Sequence, residues 1–99
     1  MSQLTETLVS YLLITGQEII AKEARPVVND EHHLSKPRVI QLQLAQNGQL
    51  GFVLLPLSLN SVDTEQVIKS SAIVGWPQKI NPAIEKSYME QTTGLLLAK

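Results

Sequence analysis

Arg38-Val39-Ile40-Gln41-Leu42-Gln43-Leu44 is the stretch that decides the fold. Ile40, Leu42 and Leu44 alternate with Gln41 and Gln43, the period of two that turns one face of a strand toward a core and the other toward water. Asn47-Gly48 follows, and both residue types tolerate the positive φ that a type I′ hairpin turn demands. The chain then returns as Leu50-Gly51-Phe52-Val53-Leu54-Leu55-Pro56-Leu57. That strand is apolar on both faces, with Gly51 suited to a bulge or a barrel corner and Pro56 to a strand end or an edge. It is therefore either central or buried at a subunit contact.

Upstream of this hairpin, Leu8 to Ile14 is rich in β-forming residues and ends at the turn signal Thr15-Gly16-Gln17, after which Glu18-Ile19-Ile20-Ala21-Lys22 resumes. Two short apolar segments joined through a glycine read as a second hairpin. A helical turn over Met1 to Glu6 fits before it. Glu23 to Lys36 is polar and carries Pro26 and Asn29-Asp30-Glu31-His32-His33, with Pro37 just beyond, so it reads as a loop or an exposed hairpin tip. Downstream, Ser58 to Glu65 reads as a loop. Gln66-Val67-Ile68-Lys69 and Ala72-Ile73-Val74-Gly75-Trp76 are two short β-prone pieces around Ser70-Ser71. Asn81 can cap a helix and Pro82 suits its first position, giving a helix from Pro82 to about Thr93 with Gly94 as its stop. The expected core is Leu12, Ile14, Ile19, Ile40, Leu42, Phe52, Leu54, Ile68, Ile73 and Ile84.

The 99 residues suit one domain, since domains typically run from about 50 to 250 residues. A hydrophobic fraction of 43% against 17% charged residues excludes a largely disordered chain. Eight basic and nine acidic residues give a formal charge of -1, so no global field draws the chain toward phosphate or anionic lipid, and nucleic acid would need a local patch. There is no cysteine, hence no disulfide, thiol nucleophile or thiolate metal site. Thr5, Glu6, Thr7 and Ser10 interrupt any secretory signal, and no apolar run approaches the ~20 residues of a membrane span. A cytoplasmic protein without a membrane partner is the expectation. Mainly β structure follows, as a small, five-stranded, strongly bent antiparallel and partly open barrel over residues 8–76 with a C-terminal helix over 81–94, all in one domain spanning 1–99.

Chemistry is sparse. His32-His33 beside Asp30 and Glu31 is the one cluster of metal-binding side chain types, but adjacent side chains on an extended segment point to opposite sides, so a solvated polar loop is the simpler reading and no metal is expected. Neither histidine has a serine or cysteine nucleophile in a recognised local motif, so no catalytic residue is assigned. The five glycines are too scattered for a phosphate loop, and no cofactor or small-molecule substrate is indicated. Phe52 and Tyr88 read as packing residues, and Trp76 as core or contact.

The order of elements resembles the Sm and Hfq-like fold. Leu13-Ile14-Thr15-Gly16-Gln17-Glu18-Ile19-Ile20-Ala21 looks like that family's first motif, with Ala21 where glycine is usual. Val67-Ile68-Lys69-Ser70-Ser71-Ala72-Ile73-Val74 approximates the second, with Lys69 and Ser70 replacing an Arg-Gly pair. Gly16 to Lys22 and Lys36-Pro37-Arg38-Val39-Ile40 also look like small Sm-like proteins of tailed bacteriophages of marine bacteria. The resemblance implies a homo-oligomeric ring and RNA as a candidate partner, with Lys69, Ser70, Asn29 and Asp30 as the corresponding RNA-binding residues. Asn29-Asp30 falls in the expected loop but in reversed order, and Lys69 keeps the charge of arginine without its planar fork. The alternative is a structural or protein-interaction ring that binds no RNA. Electrostatics separates the two: RNA requires Lys22, Lys36, Arg38 and Lys69 to converge on one face rather than scatter among carboxylates.

Overall fold

A computed structural model describes residues 7–23, 25–58, 65–77 and 79–93. Six strands, one 3-10 turn and one helix follow in order: β1 Thr7–Leu13, β2 Glu18–Glu23, β3 Glu31–Leu44, β4 Leu50–Pro56, β5 Gln66–Lys69, the turn Ser70–Ala72, β6 Ile73–Gly75 and α1 Pro82–Thr93. All pairings are antiparallel, in the spatial order β4-β3-β2-β1-β6, with β5 also paired to β3. Six strands replace the five expected: the two pieces around Ser70–Ala72 are separate strands, β5 on β3 and β6 on β1. Among the described residues no ladder joins β6 to β4 or β5, so the sheet is open. Its two sides are linked by the covalent run from β5, on β3, through the 3-10 turn to β6, on β1. The Met1 to Glu6 turn, Gly94 and most of the Ser58 to Glu65 loop lie outside the described residues.

The two tight hairpins share one construction. The Leu13 amide donates to the Gln17 carbonyl at 2.8 Å and the Gly16 amide to Leu13 at 2.8 Å; Ala45, Gln49 and Gly48 repeat the pattern at 2.8 and 3.0 Å. Each turn ends in a left-handed glycine, Gly16 at φ 93° and Gly48 at φ 86°, the three-residue loop with a bulge glycine. Asn47 is not left-handed, so the type I′ expectation fails there. Its side-chain oxygen instead accepts from the Gln49 amide at 3.0 Å. The type I′ geometry occurs between β2 and β3, where Asn29 and Asp30 have φ of 56° and 62° and the Glu31 amide donates to the Val28 carbonyl.

β3 therefore begins at Glu31, inside the segment expected to be a loop. It is long enough to pair with β5 through Glu31 to Leu34 and with β4 through Arg38 to Leu44, while β2 runs along its other edge. Between those halves Lys36 and Pro37 oppose the single β2 residue Ala21, a bulge in which Lys36 adopts φ 50°. Proline is acceptable at this position because a bulge interrupts the ladder. The bulge bends the sheet.

Apolar residues occupy both faces. Leu13, Ile19, Ala21 and Leu34 are buried together, with Tyr11, Ile68 and Ile73 against them. On the other face Ile20, Leu54 and Tyr88 are buried, with Ile40, Phe52 and Ile84 alongside. Helix α1 covers this second face. It starts where expected: the Asn81 side chain accepts from the Ala83 amide at 2.8 Å, satisfying one of the free donors of a first turn. Tyr88 fastens its far half, placing its hydroxyl 2.9 Å from the Lys36 carbonyl and 3.2 Å from that of Ser35. Leu12, Ile14 and Leu42 are exposed rather than core. On β1, Val9, Tyr11 and Leu13 join the first cluster while Leu8 and the buried Ser10 lie on the second face; Leu12 shares that second face but is exposed, and Leu42 lies on the part of β3 that extends beyond its cover. Among the described residues no helix is long and apolar enough to cross a membrane.

Candidate functional site

Asn29, Asp30, Lys69 and Ser70 come together. The type I′ turn delivers Asn29-Asp30 to the end of β5, where the Ser70 amide donates to the Asp30 carbonyl at 2.8 Å. Lys69 is the register partner of Glu31, and its ammonium lies 3.0 Å from the Glu31 carboxylate. The hydrogen bond from Lys69 and its charge, with a smaller contribution from His33, hold the Glu31 carboxyl below its ordinary range. Asn29 and Asp30 have a backbone reason to be here, because both tolerate the left-handed conformation at which most side chains are strained.

Lys36 and Arg38 do not join Lys69. Lys36 donates to the Thr92 carbonyl at 3.0 Å, near the end of α1, where the free carbonyls of a helix favour a cation. Arg38 is only 5% exposed and donates to the Gln91 side chain at 2.6 Å and to the Pro37 carbonyl at 3.2 Å. Arg25 pairs with Glu65 at 2.8 Å, which holds the Glu65 carboxyl low. Lys22 sits on β2 opposite Ser35.

Behind the turn lies a second set of polar groups. His32 places Nε2 2.9 Å from Ser70 Oγ and Nδ1 3.1 Å from Glu23 Oε2, while the Tyr11 hydroxyl donates to Glu23 Oε1 at 2.8 Å. The Tyr11 ring meets the imidazole edge-on at a centroid distance of 5.2 Å. Burial, reinforced by the Glu23 carboxylate, pushes the Tyr11 phenol well above its ordinary range, so it remains a donor. The His32 and Glu23 side chains are 12% and 10% exposed, which corrects the reading of His32 as part of a solvated loop. His33 has a separate set of neighbours, Glu65 at 3.4 Å and Glu31 at 3.9 Å.

These residues were hidden in the sequence because their partners are 9, 12 and 38 positions apart. The available signal was parity: Tyr11 shares a face with Val9 and Leu13, Glu23 with Ile19 and Ala21, and His32 with Leu34. A cavity of about 650 Å³ adjoins the set, reaching Tyr11 and His32 between Val9, Trp76 and Ile80.

No known family model and no curated protein matches the chain.

Proposed function

We propose that the chain is a Sm-like module that assembles head to tail into a homo-oligomeric ring and serves as a structural or protein-interaction platform. The observation that carries this reading is the pair of terminal strands. β4 and β6 end the spatial order, each paired on one edge only among the described residues. Leu50 on β4 is 67% exposed, Val74 on β6 60% and Trp76 just beyond it 70%. Unpaired edges with apolar flanks recruit further strands, and joining two different edges gives a heterologous contact that closes into a ring when the rotation permits. The Sm-like reading draws further support from the 3-10 turn between β5 and β6 and from the meeting of Asn29-Asp30 with Lys69-Ser70.

Because the chain has no cysteine, a Leu55→Cys/Val74→Cys double variant treated with a short thiol-specific crosslinker tests the proposed contact. A ladder of covalent oligomers is expected. Reaction confined to single chains would overturn it.

RNA binding is the second reading, favoured by the convergence of the four expected residues. The pairing of Lys69 with Glu31 and the dispersal of Lys36 and Arg38 toward α1 weigh against it. A titration with uridine-rich and adenine-rich RNA at two salt concentrations decides, since phosphate contacts release counterions and weaken as salt rises. Binding through this junction is expected to be micromolar or weaker and salt-sensitive, reduced by Lys69→Ala with the oligomer intact. Tight, salt-insensitive binding would contradict that assignment.

A further inference from the structure

We propose that Ser70, His32 and Glu23 form a nucleophilic relay in which Ser70 Oγ accepts the acyl group of small carboxylic esters. An ionised carboxylate can only accept hydrogen bonds, so the contact between Glu23 Oε2 and His32 Nδ1 at 3.1 Å keeps the proton on Nδ1. The lone pair of Nε2 then faces Ser70 Oγ at 2.9 Å. This is the arrangement of nucleophile, base and orienting acid that recurs on unrelated folds and is recognised by geometry rather than by sequence order. Tyr11 fixes the second carboxylate oxygen at 2.8 Å. Ser70 is fixed by its backbone, its amide bonded to Asp30 and its carbonyl accepting from the Ile73 amide. Of the three relay residues, His32 lines the cavity beside Tyr11, whose walls include Val9, Trp76 and Ile80.

In the first step Ser70 Oγ bonds to the ester carbonyl carbon and its proton passes to His32 Nε2. The carbon–oxygen bond to the leaving alcohol breaks, and Nε2 returns the proton to that alcohol. In the second step water attacks the acyl-serine, giving its proton to Nε2, and the acid leaves as Ser70 Oγ is reprotonated. Ser70 and His32 are the catalytic residues, and Glu23 is a positioning residue that acts through His32. The relay requires neither the ring nor RNA.

The test exposes the full chain to p-nitrophenyl acetate and, separately, to a fluorophosphonate probe, follows intact mass and maps the modified peptide. One adduct per chain on Ser70 is expected, absent in Ser70→Ala. His32→Asn removes the base, so the labelling rate should fall by about 100-fold or more in variant protein shown to be folded by its circular dichroism spectrum. Glu23→Gln should shift the pH at which the rate reaches half its maximum, which a purely structural glutamate would leave in place. No adduct, an adduct on another residue, or wild-type labelling in folded His32→Asn would overturn the relay.

Discussion

The two halves of β3 differ in what surrounds them rather than in how strand-like they are. Glu31 to Leu34 is charged and histidine-rich, yet β5 pairs along all of it, Leu34 also pairs with Glu23 on β2, and Leu34 is fully buried. Gln41 to Leu44 has the cleaner alternation of the two, yet every one of its residues is exposed. Alternation identifies the face on which side chains lie. Whether that face is covered depends on elements distant in sequence, here β5 and the 3-10 turn for the first half and the limited reach of α1 for the second.

The largest effect that could break this contrast is a core truncation. Leu34→Ala should lower stability by about 2–5 kcal/mol, because it removes a buried side chain and leaves a cavity, whereas Leu44→Ala should stay within about 0.5 kcal/mol in the isolated chain. Denaturant midpoints compare them, and equal losses would mean that the distal hairpin is covered in solution. The boundary between the halves is sharpened by Tyr88→Phe. Its hydroxyl serves the Ser35 and Lys36 carbonyls beside the bulge, so its loss should lower stability by about 1 kcal/mol. Asn81→Ala, at the other end of α1, should have a similar or slightly smaller effect, about 1 kcal/mol or less, seen as a shifted melting midpoint. If Tyr88→Phe is silent while Asn81→Ala is not, the helix is held by its start rather than by the bend.

The smallest effect concerns Glu31. Its folded carboxyl titrates below the ordinary range because of Lys69, so the stabilisation it provides is present above the unfolded value and is lost as pH falls through the depressed folded value. The pair is solvent-exposed, and its contribution to stability should be correspondingly slight. In Lys69→Ala, a carboxyl NMR titration should show Glu31 rising toward its ordinary value. An unchanged titration would remove the ion pair from the account of the junction.

Local chemistry made much of the fold legible. The alternation of Ile40, Leu42 and Leu44, the glycines at 16 and 48 and the Asn81-Pro82 start located both hairpins and the helix. The start of β3 was concealed because Glu31-His32-His33 has no apolar period, its polar groups being satisfied by Tyr11, Glu23, Glu65, Lys69 and Ser70 across the sheet. Tyr88 was legible as a packing residue, but its partners at Ser35 and Lys36 were not, since they depend on a bulge that has no local signature beyond Pro37. At the site, Asn29, Asp30, Lys69 and Ser70 were assigned by resemblance, and the structure adds a physical link among them through the Asp30 carbonyl and the Glu31 carboxylate.

Multi-angle light scattering at micromolar concentration tests the proposed assembly most directly. A stable particle at an integer multiple of 10.9 kDa is predicted, its mass unchanged on moderate dilution. A monodisperse species of 10.9 kDa under the same conditions would contradict it, leaving the edges of β4 and β6 unpaired in solution.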